Sequence, residues 1–66
     1  MRSTRATLLD AEAVAEMIGM STDWIYAEAR ADRIPHVRLG RYVRFRAEAI
    51  EDWIRERERG KIRETT

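Results

Sequence analysis

A helix stop and a helix start lie only two residues apart in the first third of the chain. Gly19 directly follows the last apolar residue of a helical pattern, where a left-handed residue ends a helix at little cost. Ser21 is a residue type that caps helix N-termini, and Asp10 is placed to cap the preceding helix. The sequence therefore predicts two short helices, in DAEAVAEMIG and MSTDWIYAEAR, whose short connection forces a sharp turn.

Each of these two helices has one apolar face. The first helix has a buried stripe with i, i+3, i+4 spacing that consists of Val14, Met17 and Ile18. In the second helix, Ile25 and Ala29 lie one turn apart on the inner side, with Met20 just before the cap, and we expect Trp24 on the flank to pack in the core. The outer face of the second helix carries Thr22, Asp23, Tyr26 and Arg30. Such a pair of helices is typical of a helix-turn-helix DNA reader, in which one helix enters a groove.

The charge of the chain is unevenly distributed, although its sum is only +1. Residues 10–32 hold six acids and one arginine, which gives −5, and residues 33–46 hold five arginines and no acid, which gives +5. A local basic cluster is typical of proteins that bind phosphates, and we favour nucleic-acid binding on this ground. The alternative interpretation is a solvated hairpin with unusual arginine usage.

The basic segment has the pattern of a β-hairpin. Pro35 ends the second helix, and apolar residues alternate with arginines in HVRLGRYVRF. We expect one face of the hairpin to be buried and to carry Val37, Leu39, Val43 and Phe45. Arg38 and Arg44 would then lie opposite each other on the outer face, where an anionic partner would offset their repulsion. This register requires a three-residue loop of Gly40, Arg41 and Tyr42, because a two-residue turn would pair Val37 with Arg44 and bury a charge.

A third helix is predicted from about Ala47 to about Arg59, with Gly60 ending it. Its buried stripe consists of Ile50, Trp53 and Ile54. Phe45 has the spacing of a hydrophobic staple with Ile50, whereas Arg46 is a poor capping residue. Glu51 and Arg55 form a predicted i, i+4 ion pair. We expect residues 1–7 and 60–66 to be flexible ends of a single domain that spans residues 1–66.

Several classes of function are disfavoured by the composition. A chain of 66 residues has little room for a deep catalytic pocket, and without cysteine it holds no disulfide framework or thiolate zinc site. The lone His36 and the absence of convergent carboxylate pairs argue against catalysis, so we expect no enzyme, no cofactor and no metal. No apolar run approaches the roughly 20 residues that span a bilayer, and we expect a soluble, cytoplasmic protein without membrane or small-molecule partners.

The order of helix, turn, helix, arginine-rich hairpin and helix, from Leu8 to about Trp53, resembles the small excisionase and AlpA-type proteins. These are relatives of the winged-helix DNA-binding domain of MerR regulators. The most specific pieces of the resemblance are LL.AEAVAE.IG.S, the dipeptide IP, and VRLGRYVRF followed by AEAIEDW. The fold that the resemblance implies is a small α+β winged helix-turn-helix domain with two helices, a two-stranded hairpin wing and a C-terminal helix.

The resemblance also implies a function. Members of this family are recombination directionality factors that bind and bend DNA near a phage attachment site, often assemble head to tail, and help an integrase to excise the prophage. The implied partners are double-stranded DNA, a phage integrase and neighbouring copies of the same chain, at the nucleoid of a bacterial host. Two alternatives remain: a small MerR/AlpA-like transcriptional regulator, or a protein-interaction module for an integrase. A monomer is expected, because the last helix is too short for the long coiled coil of MerR dimers.

The resemblance places Thr22, Tyr26 and Arg30 on the DNA-facing side of a recognition helix that starts at Ser21 and lies in the major groove. The residues expected to contact DNA are Ser21, Thr22, Asp23, Tyr26 and Arg30 in that helix and Arg38, Arg41, Tyr42, Arg44 and Arg46 in the wing. The chain departs from the family pattern at Asp23 and Ala27, where basic residues are expected, and at Glu28, where an apolar one is expected. Asp32 replaces a common glycine. Asp23 either accepts a hydrogen bond from a cytosine amino group or is simply a first-turn acid favoured by the helix dipole.

Overall fold

The structure, a computed structural model, describes residues 8–60, which form three helices and a two-stranded antiparallel sheet. The elements are α1 (Ala11–Ile18), α2 (Thr22–Arg30), β1 (Val37–Leu39), β2 (Tyr42–Arg44) and α3 (Ala47–Arg57). This is the predicted small α+β domain with a hairpin wing between the second and third helices. Flexible ends were predicted at residues 1–7 and 60–66, and all of these except Gly60 lie outside the described residues. No helix within residues 8–60 is long and apolar enough to cross a membrane.

The junction between α1 and α2 is built from the predicted capping residues. A carboxylate oxygen of Asp10 accepts a hydrogen bond from the backbone N–H of Ala13 at 2.9 Å, which caps the start of α1. Gly19 ends α1 in the left-handed conformation with φ of 74°. Two residues later, the Ser21 hydroxyl accepts from the backbone N–H of Trp24 at 3.1 Å and caps α2. Both helix boundaries at this turn are therefore confirmed.

The end of α2 relies on Asp32 where a glycine is more common. Asp32 has φ of 62° and is the only non-glycine residue with positive φ in the described part of the chain. Its backbone N–H donates to the Ala29 carbonyl at 3.0 Å, and that of Arg33 donates to the Glu28 carbonyl at 2.9 Å. These two bonds form a Schellman motif, which satisfies carbonyls that the helix end leaves free. The aspartate thus takes the left-handed position that the sequence suggested for it.

The core draws on all three helices, on Ile34 and on Phe45 at the base of the hairpin, whereas neither strand contributes a buried side chain. Its fully buried members are Ala11, Val14, Ala15, Ile25, Ala29, Ile34, Phe45 and Ile50. Small alanines at the α1–α2 contact permit close packing of the two helices. Leu9 forms an antiparallel bridge with Phe45, in which their backbone N–H and carbonyl groups exchange hydrogen bonds of 2.7 and 2.8 Å. This bridge joins the segment before α1 to the base of the hairpin, and the sequence did not predict it.

The buried stripes of the helices are narrower than predicted. Met17 and Met20 are 40% and 41% exposed, and Ile54 of α3 is 37% exposed, so the prediction that these side chains are buried is wrong. The core has only eight buried side chains, of which Phe45 is the largest, and it covers only the centre of each stripe. Trp24 and Trp53 lie at its margin, half-buried, with ring centroids 6.5 Å apart and planes inclined by 60°. The two tryptophans, one on α2 and one on α3, therefore cover the edge of the core.

The predicted register of the hairpin is wrong. Leu39 pairs with Tyr42 across a two-residue turn, Arg38 pairs with Val43, and Val37 pairs with Arg44. Gly40 has φ of 65° at the first central position of the turn, which is the pattern of a type II′ hairpin. Arg38 and Arg44 therefore lie on opposite faces, and the predicted loop of residues 40–42 does not form.

The reason is that the hairpin extends beyond the core. Only Phe45, at its base, is fully buried, Val37 and Val43 are half-buried, and Leu39 is half exposed. Pairing Arg44 with Val37 consequently buries no charge, because water reaches that face. The rule that one face of a hairpin must be apolar applies only where a core covers it.

The third helix begins as predicted and ends early. It starts at Ala47 after Arg46, which makes no side-chain capping hydrogen bond, while Phe45 and Ile50 are both fully buried in the staple positions. The helix ends at Arg57 and not near Arg59, three residues before Gly60. The predicted ion pair of Glu51 with Arg55 is replaced by one between Asp52 and Arg55, one residue closer.

Candidate nucleic-acid interface

The outer face of α2 presents polar and aromatic side chains to solvent. Asp23, Tyr26 and Arg30 are exposed, with Tyr26 at 41%, and Thr22 is half-buried. Ser21 lies at the N-terminal end of this face, where its hydroxyl is held by the capping bond to Trp24. A helix N-terminus with free backbone N–H groups attracts phosphate, but the carboxylate of Asp23 stands in the same turn.

The hairpin brings two of its arginines next to α2. Tyr26 and Arg30 of the helix and Arg38 and Arg41 of the hairpin line one groove of about 250 Å³. Ala29 and Val43 also line this groove. We call it the helix–wing groove, and the wing is the hairpin of residues 37–44. Four residues that the sequence assigned to DNA contact from two separate segments thus share one surface.

The observed register is what brings Arg38 into the helix–wing groove. Cross-strand partners share a face, so Arg38 lies on the same face as its partner Val43, which lines the groove. The predicted register would have placed Arg38 beside Arg44 on the face away from Val43. The two like charges are instead separated by the sheet, which removes the repulsion that the sequence suggested.

The other face of the wing carries Tyr42, whose ring has two guanidinium groups nearby. The Cζ atoms of Arg41 and Arg44 lie 5.8 and 5.3 Å from the centroid of the Tyr42 ring, within the range of cation–π interaction. Arg44 also donates from Nη1 to the Val43 carbonyl at 2.9 Å and is half-buried.

Arg33 belongs to a different group of contacts. Its Nε and Nη2 donate to the two carboxylate oxygens of Glu28, each at 3.1 Å, in a bidentate pair. The hydrogen bond and the negative charge of Glu28 raise the pKa of Arg33 above its ordinary value. The Arg33 carbonyl accepts a hydrogen bond of 2.7 Å from the indole N–H of Trp53, so this corner also anchors α3. The sequence interpretation missed this pair, although an acid and an arginine that flank a helix end are a recognisable signal.

The pairing of Arg33 changes the charge available for binding. Of the five arginines in residues 33–46, one is matched by Glu28, and four remain at the wing and its base. Arg46 is exposed at the N-cap of α3 and does not line the helix–wing groove. Glu28, which departs from the family pattern, is accounted for by this pair. The wing and its base therefore carry more positive charge than the outer face of α2, where the charge of Arg30 is offset by that of Asp23.

His36 lies in the segment between α2 and the wing, where its side chain makes a local hydrogen bond. Its Nδ1 forms a hydrogen bond of 2.8 Å with the Ile34 carbonyl, two residues earlier. Within residues 8–60, no group of three histidine, cysteine, aspartate or glutamate side chains is arranged to hold a metal ion.

Comparison with known proteins bears on this arrangement. The family model described as helix-turn-helix domain matches residues 8–58, which includes α1, α2, the wing and α3. No curated protein and no solved structure matches the chain. The family match covers most of the 66 residues. The chain therefore belongs to the helix-turn-helix domain family and is a DNA-binding protein.

Proposed function

We propose that this protein is an architectural DNA-binding protein of the excisionase type, which binds and bends attachment-site DNA and promotes excision of a prophage by an integrase. The observation that carries the proposal is the helix–wing groove, in which Tyr26 and Arg30 stand beside Arg38 and Arg41. Recognition helix and basic wing then act on adjacent parts of one duplex. The proposed excision takes place in the cytoplasm of a bacterial host, at the nucleoid.

In this proposal, α2 lies in the major groove. Arg30 is placed to donate to guanine, and Tyr26 and Thr22 contact base edges or the thymine methyl group. Asp23, in the first turn of the helix, accepts a hydrogen bond from a cytosine amino group. Ser21 caps the same turn. The arginines of the wing and its base bind phosphates on both sides of the neighbouring minor groove, with Tyr42 between them. Attraction to phosphates on one side of a duplex favours bending toward the protein.

Cooperation between copies supplies the specificity that one small module lacks. A single module of this size reads few base pairs, so several copies on repeated sites, or an integrase alongside, are needed for a useful preference. The acidic surface of residues 10–32 of one copy faces the arginine-rich wing of the next copy in this arrangement. The integrase is the second protein partner.

A protein-interaction role is favoured by a separate surface feature. Met17, Met20 and Ile54 are exposed, and together with Ile18, Trp24, Trp53 and Arg57 they line an apolar groove of about 450 Å³. This groove shares no residue with the helix–wing groove. Exposed apolar side chains that are gathered in one place are typical of contact surfaces for proteins. A module that binds an integrase without DNA is therefore the second candidate function.

A transcriptional regulator of the MerR type is less well supported. Such regulators dimerise through a long C-terminal helix, and α3 has 11 residues, about three turns. A coiled coil of several heptads needs a longer helix.

The test is a binding selection with the full chain and sheared DNA from its own genome, followed by gel shifts on the enriched fragments at two salt concentrations. Repeated sites beside an attachment site, with several discrete shifted bands, are expected. Excision should then be restored when the protein is added to the integrase of the same genome and a plasmid that carries the attachment sites. A single site at a promoter would identify a regulator. No enrichment at low salt, together with a stable integrase complex, would identify the interaction module.

The side-chain assignments are tested on the same fragments. Tyr26→Ala or Arg30→Ala should reduce the preference for the selected site over unrelated DNA, by about 1–3 kcal/mol if a bidentate base contact is lost. Equal preference in these variants and the wild type would contradict the placement of α2 in the groove.

A further inference from the structure

The tip of the wing has one apolar face. Leu39 and Tyr42 are paired across the strands next to the turn, and cross-strand partners project to the same side of a sheet. Their face is opposite to that of Arg38 and Val43, which line the helix–wing groove. Leu39 is 50% and Tyr42 is 54% exposed, the highest values among the large apolar side chains of residues 8–60. The outermost part of the hairpin thus exposes apolar surface that contributes nothing to the core.

Two positive charges lie beside Tyr42, one member of this apolar pair. The guanidinium groups of Arg41 and Arg44 lie 5.8 and 5.3 Å from the Tyr42 ring centroid. Arg44 is further fixed by its hydrogen bond to the Val43 carbonyl. A partner for this surface has to accept hydrocarbon at the centre and cations at the sides. The minor groove of a duplex offers both, since phosphates line its walls and the stacked bases form its floor.

We propose that Leu39, backed by Tyr42, inserts at a base step in the minor groove and kinks the duplex. Arg41 and Arg44 bind the phosphates on the two sides of the inserted side chains. The inference rests on the proposed function, because it names the part of the wing that produces the bend. Insertion of an apolar side chain partly unstacks two base pairs and bends DNA toward the major groove. The kinked step is a pyrimidine–purine step, because these steps unstack most easily.

The test uses a short duplex that carries the site enriched in the binding selection. 2-Aminopurine, whose fluorescence rises on unstacking, replaces adenine at successive positions, and a dye pair on the duplex ends reports bending by energy transfer. The wild type is expected to raise 2-aminopurine fluorescence at one step and to increase energy transfer. The double variant Leu39→Thr, Tyr42→Thr keeps residues that suit a strand and should lose less than about tenfold in affinity. It should abolish the fluorescence rise and most of the bend.

The control is Ile54→Ala, which truncates another exposed apolar side chain, 37% exposed, on α3 outside the wing. It should retain affinity, fluorescence rise and bend. If circular dichroism shows that the double variant does not fold, Leu39→Thr alone decides the question, because it leaves Tyr42 and its contacts with Arg41 and Arg44 in place.

Two outcomes would overturn the insertion and leave the proposed function intact. One is a wild-type protein that bends the site without unstacking any base, and the other is a fluorescence rise that persists in the folded Leu39 variant. A wild-type protein that does not bind or does not bend the selected site would instead remove the proposed function itself.

Discussion

The arginines of residues 33–46 differ in the contacts that they make, and the sequence alone does not distinguish them. Arg33 is held by both oxygens of Glu28 and by the contact of its own carbonyl with Trp53. Arg41 lies at the turn of the wing and reaches both the helix–wing groove and the ring of Tyr42. The sequence predicted a basic segment correctly from composition alone. It did not show which member of the segment was neutralised, because that depends on where the end of α2 places Glu28.

This difference gives a matched pair of variants. Arg41→Ala should weaken binding to all DNA sequences and reduce the slope of log affinity against log salt by about 0.9, the value for one phosphate contact. Arg33→Ala removes the same side chain from the same segment and should leave the slope unchanged, because Arg33 is paired with Glu28. The measurement is a fluorescence-anisotropy titration at several salt concentrations. Equal slopes for the two variants would show that the charge of the segment acts as a whole.

At the scale of the elements, local signals were reliable and non-local ones were not. The caps at Asp10 and Ser21 and the left-handed residues at Gly19 and Asp32 were all predictable, because each depends on a few adjacent residues. The hairpin itself was predictable from alternation, but its register was not. Register depends on which face the core covers, and sequence alone does not show how far the hairpin extends beyond it. The bridge between Leu9 and the base of the hairpin was missed because it joins residues that are far apart in the chain.

Two substitutions of Ser21, at the start of α2, distinguish its capping role from a contact with DNA. Ser21→Ala should lower the free energy of unfolding by about 1 kcal/mol, because the N–H of Trp24 loses its acceptor. Ser21→Asp keeps a capping oxygen and should be as stable as the wild type, yet it adds a negative charge beside Asp23 where phosphate approaches. It should therefore bind DNA more weakly in gel shifts. If Ser21→Asp binds as well as the wild type, the helix N-terminus is not near phosphate.

The turn of the wing depends on one glycine. Gly40 has φ of 65° with open space around its Cα, so a side chain there meets no neighbour and only the backbone conformation is unfavourable. Gly40→Ala should cost about 1–2 kcal/mol, the strain of an L-residue in the left-handed region. Gly40→Asn should cost less, because asparagine tolerates that region better. Urea unfolding curves give both values. A fully stable Gly40→Ala protein would contradict the two-residue turn.

At the scale of the whole molecule, stability rests on very few side chains. Phe45 is fully buried, follows β2 directly, bonds to Leu9 through its backbone and precedes the N-cap of α3, so it connects three parts of the fold. The sequence placed Phe45 in the core together with Leu39, and only Phe45 is there. A chain of this size has a margin of only a few kcal/mol at about 0.05–0.15 kcal/mol per residue.

Phe45→Ala should therefore unfold the protein. Loss of a buried phenylalanine costs about 3–5 kcal/mol, which is comparable to the whole margin. Leu39→Ala removes a large apolar side chain that the core does not use, and it should change the melting temperature little. Circular dichroism during heating compares the two variants. A folded Phe45→Ala protein with a cooperative transition would mean that the core is centred elsewhere.

The eight buried side chains and the ten side chains expected to contact DNA have no member in common. Substitutions at these ten positions therefore remove no side chain from the core. A protein of this kind can acquire a new target sequence through successive single substitutions without passing through unfolded intermediates. In practical terms, a library randomised at Thr22, Asp23, Tyr26 and Arg30 should contain mostly folded members, each a starting point for a different site.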